Sequence, residues 1–127
     1  MAGYLGGPRP FILERIIIMI DIKQECLDHL AYRLSRSSEW RGSQADRFPN
    51  DRRNINAAAK LQELAANART IPDSKWNALA PYFDPNNTRW LDAVSTTSRD
   101  IGFRNTPADF DGYLDKLLSN LSKPTRH

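Results

Sequence analysis

Apolar residues recur along this chain at spacings of three and four, and nowhere do four or more positions alternate cleanly between apolar and polar. That period is the period of helices packed by one face. Ile20, Leu27, Leu30, Ala31 and Leu34 fall on a single stripe, which Ile12, Leu13, Ile16 and Met19 extend backwards. The pattern predicts a first helix from about Asp21, or from about Phe11, to about Ser35. A second stripe, Ala57, Ala58, Leu61, Leu64, Ala65 and Ala68, follows Asn50 and Asp51, either of which can cap a helix. Its alanines permit close approach of a neighbouring helix.

Punctuation divides the second half of the chain more finely. Pro72-Asp73 predicts the start of a third helix carrying Trp76, Leu79 and Ala80 and ending near Phe83. Asp84-Pro85 places a capping side chain before a proline, which suits a first helical position because the missing N–H is harmless there. A fourth helix is expected to follow, burying Trp90, Leu91, Val94 and Ile101. Gly102 then offers a left-handed stop. Thr106-Pro107-Ala108-Asp109 marks the start of a fifth helix that stacks Phe110, Tyr113, Leu114, Leu117, Leu118 and Leu121. The fold class expected is therefore all-α, a single-domain bundle of four to five helices. One long connection, from about Arg36 to Pro49, joins helices 1 and 2, and connections of that length are usually functional, disordered or a short helix not visible in the pattern.

The expected boundaries are a helical domain over residues 19–122, an extension over 1–18 and a frayed tail over 123–127. Met19 is also read as a bacterial-type translation start. The residues before it, Leu13-Glu14-Arg15 and Ile16-Ile17-Ile18, can be encoded by a purine-rich ribosome-binding sequence and an A/T-rich spacer. A first helix that begins near Phe11 is the equal alternative.

Charge changes the picture at one place. The segment Arg33 to Arg53 holds six arginines against Glu39, Asp46 and Asp51, a balance of +3 that equals the formal net charge of all 127 residues. The remainder is neutral, so the basic pI of about 9.2 reflects this segment. Guanidinium groups interleaved with Trp40 and Phe48 suit carboxylates, phosphates and nucleic-acid bases. Arg33, Arg36, Trp40, Arg41, Arg47, Phe48, Arg52 and Arg53 are accordingly the expected partner-binding residues. Trp40 and Phe48 have a competing role, pinning the connection to the core as a structural clasp. An apolar start to helix 1 makes Ile12, Ile16 and Met19 the residues expected to mediate self-association.

Catalytic chemistry finds little support. Cys26 is the single cysteine, which excludes an internal disulfide and fits a reducing cytoplasm. Cys26 and His29, with Glu25 one turn before His29, could be drawn as a dyad, but a buried thiol and a partly exposed helix-flank histidine are the commoner forms. Asp109, Asp111 and Asp115 read as compensation of a helix dipole rather than as metal ligands. The six glycines form no phosphate loop or dinucleotide motif, so neither cofactor nor metal is expected. The longest apolar run, Ile16 to Ile20, is too short for a bilayer, and no membrane partner is expected.

The function expected is a small non-catalytic protein-interaction or regulatory module, with another protein or a second copy as partner. The alternative is a nucleic-acid binder that uses the arginines on phosphates, or a degenerate helix-turn-helix over helices 2 and 3. In that motif Ala65, Ala66, Ile71, Trp76 and Leu79 would hold the apolar positions, but Arg69, Thr70 and Trp76 fit it poorly.

Overall fold

The computed structural model describes the backbone of residues 11–103 and 106–123, and the side chains of that stretch from Ile22 onward. Most of the 1–18 extension and of the 123–127 tail therefore lies outside the described residues, as do the side chains of Ile12, Ile16 and Met19. The described residues form five α-helices and no strand: α1 Phe11–Arg47, α2 Arg52–Ala66, α3 Asp73–Leu79, α4 Thr88–Arg99 and α5 Phe110–Ser122.

α1 starts at the earlier of the two expected positions and runs through the segment expected to be a connection. Its 37 residues would span about 55 Å. The long connection is thus corrected to a helix, and the true link to α2 is the short turn 48–51, closed by Asp51 N–H donating to the Phe48 carbonyl at 3.0 Å. What continues the helix is its buried stripe. After Leu27, Leu30 and Leu34 come Ser38 and Arg41, at the same spacings of four and three and also buried. Ser38 Oγ donates to the Ala58 carbonyl across the helix pair at 2.7 Å. Polar atoms thus meet partners where apolar ones would have packed, as buried polar groups require.

α2 returns along α1 as an antiparallel hairpin. Asp51 caps it, its carboxylate accepting from Arg53 N–H at 3.1 Å. Ala57, Leu61 and Leu64 form its buried face, with α1 as its main neighbour. α3 is shorter than expected, ending at Leu79, and packs on α5, with Trp76 and Leu79 in the core. The start of α4 also differs from expectation. Asp84 closes a turn, accepting from the Asn86 N–H at 3.0 Å, and Asn87 is the cap, accepting from Arg89 N–H at 2.9 Å. An aspartate before proline serves a tight turn as well as it serves a helix start.

α4 and α5 pair through a core that includes Trp90, Val94, Tyr113, Leu117 and Leu121. A polar seam runs through it: Ser98 Oγ lies 3.1 Å from Tyr113 Oη, and Asn120 Nδ2 donates to Thr97 Oγ1 at 2.8 Å. Burial pushes the Tyr113 phenol up to about 12, so it remains a neutral hydrogen-bonding group. Gly102 adopts φ +91° after α4, as expected of the stop. A Cβ there would also meet the Ala57 Cβ at 3.0 Å and the Arg53 carbonyl at 3.2 Å, so close passage over α2 requires glycine as much as the backbone angle does. Asp109 caps α5 by accepting from Gly112 N–H at 2.9 Å, and Asp115 pairs with Lys75.

Candidate arginine-lined binding cleft

A cleft of about 310 Å³ lies between α1 and α4. Arg33, Arg36, Trp40 and Arg41 from α1 and Val94, Ser95, Ser98 and Arg99 from α4 line it. Their placement follows from helical spacing: Arg33, Arg36, Ser37, Trp40 and Arg41 occupy adjacent turns of α1 on the flank facing α4. Four arginines surround the space, and among its described lining residues none is acidic.

Arg41 forms the floor. Only 2% of it is exposed. Its Nε donates to Asn54 Oδ1 at 3.0 Å, Nη1 to the carbonyls of Ile101 at 3.2 Å and Arg99 at 3.3 Å, and Nη2 to the Arg53 carbonyl at 3.4 Å. Its guanidinium carbon also sits 4.5 Å from the centre of the Phe103 ring, on whose face Arg53 lies at 4.9 Å. Burial lowers its pKa from the ordinary value, yet a guanidinium remains charged at neutral pH. The residue expected to meet a partner is therefore built into the fold, tying α1 to α2 and to the end of α4. Its sequence neighbour Trp40 takes no part in that stacking.

The other expected partner-binding residues divide into two groups. Arg33, half-buried, reaches Ser95 Oγ at 3.4 Å from the cleft wall. Arg36, exposed, pairs with Glu39 at 3.1 Å, an open ion pair of little energetic consequence. Arg47 and Phe48 lie farther on, at the end of α1, with the Arg47 guanidinium 5.7 Å from the Phe48 ring centre. Arg52 opens α2 and is exposed, while Arg53 forms an ion pair with Asp51 at 2.8 Å. That bond from Arg53 holds the Asp51 carboxyl below its ordinary range.

The clasp role for the two aromatics is corrected by their exposure. Trp40 is 59% and Phe48 52% exposed, and Phe103, which the sequence did not single out, is 50% exposed. Arg99 and Phe103 are remote in sequence from the arginine-rich segment, and Phe103 reads in the sequence only as the apolar residue that follows the Gly102 stop. The usable signal was Gly102, whose left-handed stop turns Phe103 back over α2.

The remaining candidate chemistry is absorbed by packing. Cys26 is fully buried, and burial pushes its thiol up to about 12, far from a reactive thiolate. His29 Nε2 accepts from the Trp90 indole N–H at 2.9 Å, with Phe83 edge-on to the imidazole. The proton of neutral His29 is thereby assigned to Nδ1. Burial, aided by Arg33, lowers the histidine pKa from its ordinary 6.5. On acidification the unfolded chain then takes up a proton before the folded one does, so this contribution is intact above 6.5 and stability falls as pH drops from 6.5 toward the lower folded value. Urea midpoints measured between about pH 7.5 and about pH 5.5 are expected to decline, and His29→Gln is expected to flatten that slope. An unchanged slope in the variant would reject the assignment.

The helix-turn-helix arrangement is not formed. α3 packs mainly on α5, not on α2, and its charged residues form surface ion pairs with neighbouring helices, Asp73 with Lys23 at 2.7 Å and Lys75 with Asp115. No described helix is long and apolar enough to cross a membrane. The chain matches no family model, no curated protein and no solved structure.

Proposed function

We propose that this protein is a non-catalytic interaction module of the cytoplasm that receives an acidic segment of a partner protein on its arginine–aromatic face. The observation that carries the reading is the exposure of Trp40, Phe48 and Phe103 beside guanidinium groups, in a protein whose other two tryptophans are buried. Large aromatics held in water beside arginine are the composition of interface hot spots. The excess of positive charge around the cleft selects an anionic partner and speeds its encounter. Self-association through Ile12, Ile16 and Met19 belongs to the same proposal, and a full-length chain that sediments as a monomer would remove it.

The interleaving of arginine with exposed aromatic rings also supports a second reading, a single-stranded nucleic acid stacked on Trp40 and Phe48. Affinity capture by the full chain, before and after nuclease treatment and beside a Trp40→Ser/Arg47→Gln variant, separates the two. Protein retained after nuclease and lost with the variant is expected. Retention abolished by nuclease and by raised salt would transfer the function to nucleic acid. Retention undiminished in the variant would remove this face as the interface.

A further inference from the structure

We infer that the cleft between α1 and α4 is a binding site for a phosphate monoester carried on a side chain of the partner segment. This rests on the interaction reading above and names the group recognised. The first argument is the state of Arg41. Among the described residues all four of its hydrogen-bond acceptors are neutral, one side-chain amide and three carbonyls, and the nearby Asp51 carboxylate is bonded to Arg53 instead. Buried charges are normally paired with an opposite charge. Here the carbonyls at the end of α4 supply only partial compensation, and a positive potential remains beneath the cleft.

The second argument is the rim. Arg33, Arg36 and Arg99 line the same small space as Ser37 and Ser95. Arg33 has a single long bond, to Ser95, Arg36 has an open ion pair, and Arg99 makes no side-chain bond or ion pair among the described residues. The Arg99 fork is therefore open to a ligand, and Arg33 and Arg36 have only a long bond and a solvent-exposed ion pair to exchange for one. A carboxylate brings one charge and two oxygens. A phosphate monoester brings roughly −1.5 to −2 charge and three strong acceptor oxygens, which matches several guanidinium groups and hydroxyls better.

The third argument concerns what carries the phosphate. At about 310 Å³ the cleft is at the small end of ligand sites. Its arginines surround one space and do not form the extended track that a nucleic-acid backbone requires. Trp40, on the lip, offers an apolar surface to a residue flanking the phosphorylated one. A phosphorylated protein segment meets all three conditions.

Trp40 provides the readout, because Trp76 and Trp90 are buried and their emission responds little to a surface ligand. The full chain is titrated with a degenerate phosphoserine peptide pool, the same pool unphosphorylated, a glutamate-for-phosphoserine pool, inorganic phosphate and an oligodeoxythymidylate. The phosphoserine pool is expected to bind at least about tenfold tighter than either other pool. Arg36→Gln and Arg99→Gln are each expected to weaken it by about tenfold, the loss of a charge-assisted hydrogen bond. Arg99→Gln preserves the backbone carbonyl that Arg41 uses, so an unchanged unfolding midpoint shows that the loss is not one of folding. Equal binding of the phosphorylated and glutamate pools overturns the phosphate site and leaves the acidic-segment reading standing. Inorganic phosphate binding as tightly as the phosphoserine pool overturns the partner-borne source. Oligonucleotide binding tighter than any peptide overturns the protein source, and no binding by any peptide pool removes this inference together with the acidic-segment reading.

Discussion

Trp90→Ala is expected to lower unfolding stability by about 4 kcal/mol, the range for emptying a large aromatic site that cannot collapse. Trp90 is fully buried on α4. Its ring meets Phe83 edge-on at a centroid distance of 5.1 Å and His29 at 5.9 Å, so it joins α4 to α1 and to the segment after α3. Three separate elements rest on one side chain, and no single neighbour can move in to fill the space without leaving another. Trp90→Phe retains most of the packing and loses the indole N–H bond to His29, which sets a smaller cost of about 1–2 kcal/mol. Urea unfolding monitored by far-ultraviolet circular dichroism gives both values, with the midpoint falling and the slope unchanged if the transition remains two-state. A loss below about 1 kcal/mol for the alanine variant would show that Trp90 is not the keystone of the α1–α4 contact. Ordinary domains hold only about 5–15 kcal/mol in total, so the predicted loss would bring the variant near its threshold.

Much of this arrangement was legible because most elements obey the same rule at every level. In α5, Asp109 caps, and Phe110, Tyr113, Leu114, Leu117 and Leu121 are buried at helical spacing. The stripe of α2 and the stop at Gly102 are equally direct. Legibility failed where a core-facing position is polar. Leu34, Ser38 and Arg41 are successive members of one buried stripe, but an apolar count sees the stripe end at Leu34 and takes the next dozen residues for a connection. The partners that make polar residues acceptable there, the Ala58 carbonyl and Asn54, belong to α2 and are known only once the hairpin has formed. The candidate site was half legible for the same reason. Arg33, Arg36 and Trp40 stood out by composition, whereas Arg99 and Ser95 come from a helix some sixty residues away. Which arginine is structural was hidden altogether, since Arg41 and Arg47 look alike in sequence and differ only in what surrounds them.

That difference sets the second large effect. Arg41→Met is expected to cost about 3 kcal/mol, because four acceptors lose their donor at once and those that stay buried bear a desolvation penalty. Arg41→Lys restores the charge but not the fork. An ammonium is a point donor, and it cannot reach Asn54 Oδ1 and the carbonyls of Arg53, Arg99 and Ile101 from one position. Lysine is therefore expected to recover less than half of the loss. Adding Asn54→Leu to Arg41→Met should recover more than lysine does, since removing both members of a buried polar pair leaves fewer unsatisfied groups than removing one. Arg47→Gln and Arg52→Gln, exposed on the same segment, should leave the urea midpoint unchanged. If Arg41→Met unfolds at the same urea concentration as those two, Arg41 is not the bond between helices that its geometry describes. The same guanidinium holds the Arg99 carbonyl and so fixes the end of α4 against α1, which sets the width of the cleft. Stability and recognition are consequently coupled at this residue: Arg41→Met should weaken binding of anionic ligands even at concentrations of urea where the variant remains folded, whereas Arg99→Gln should weaken binding alone.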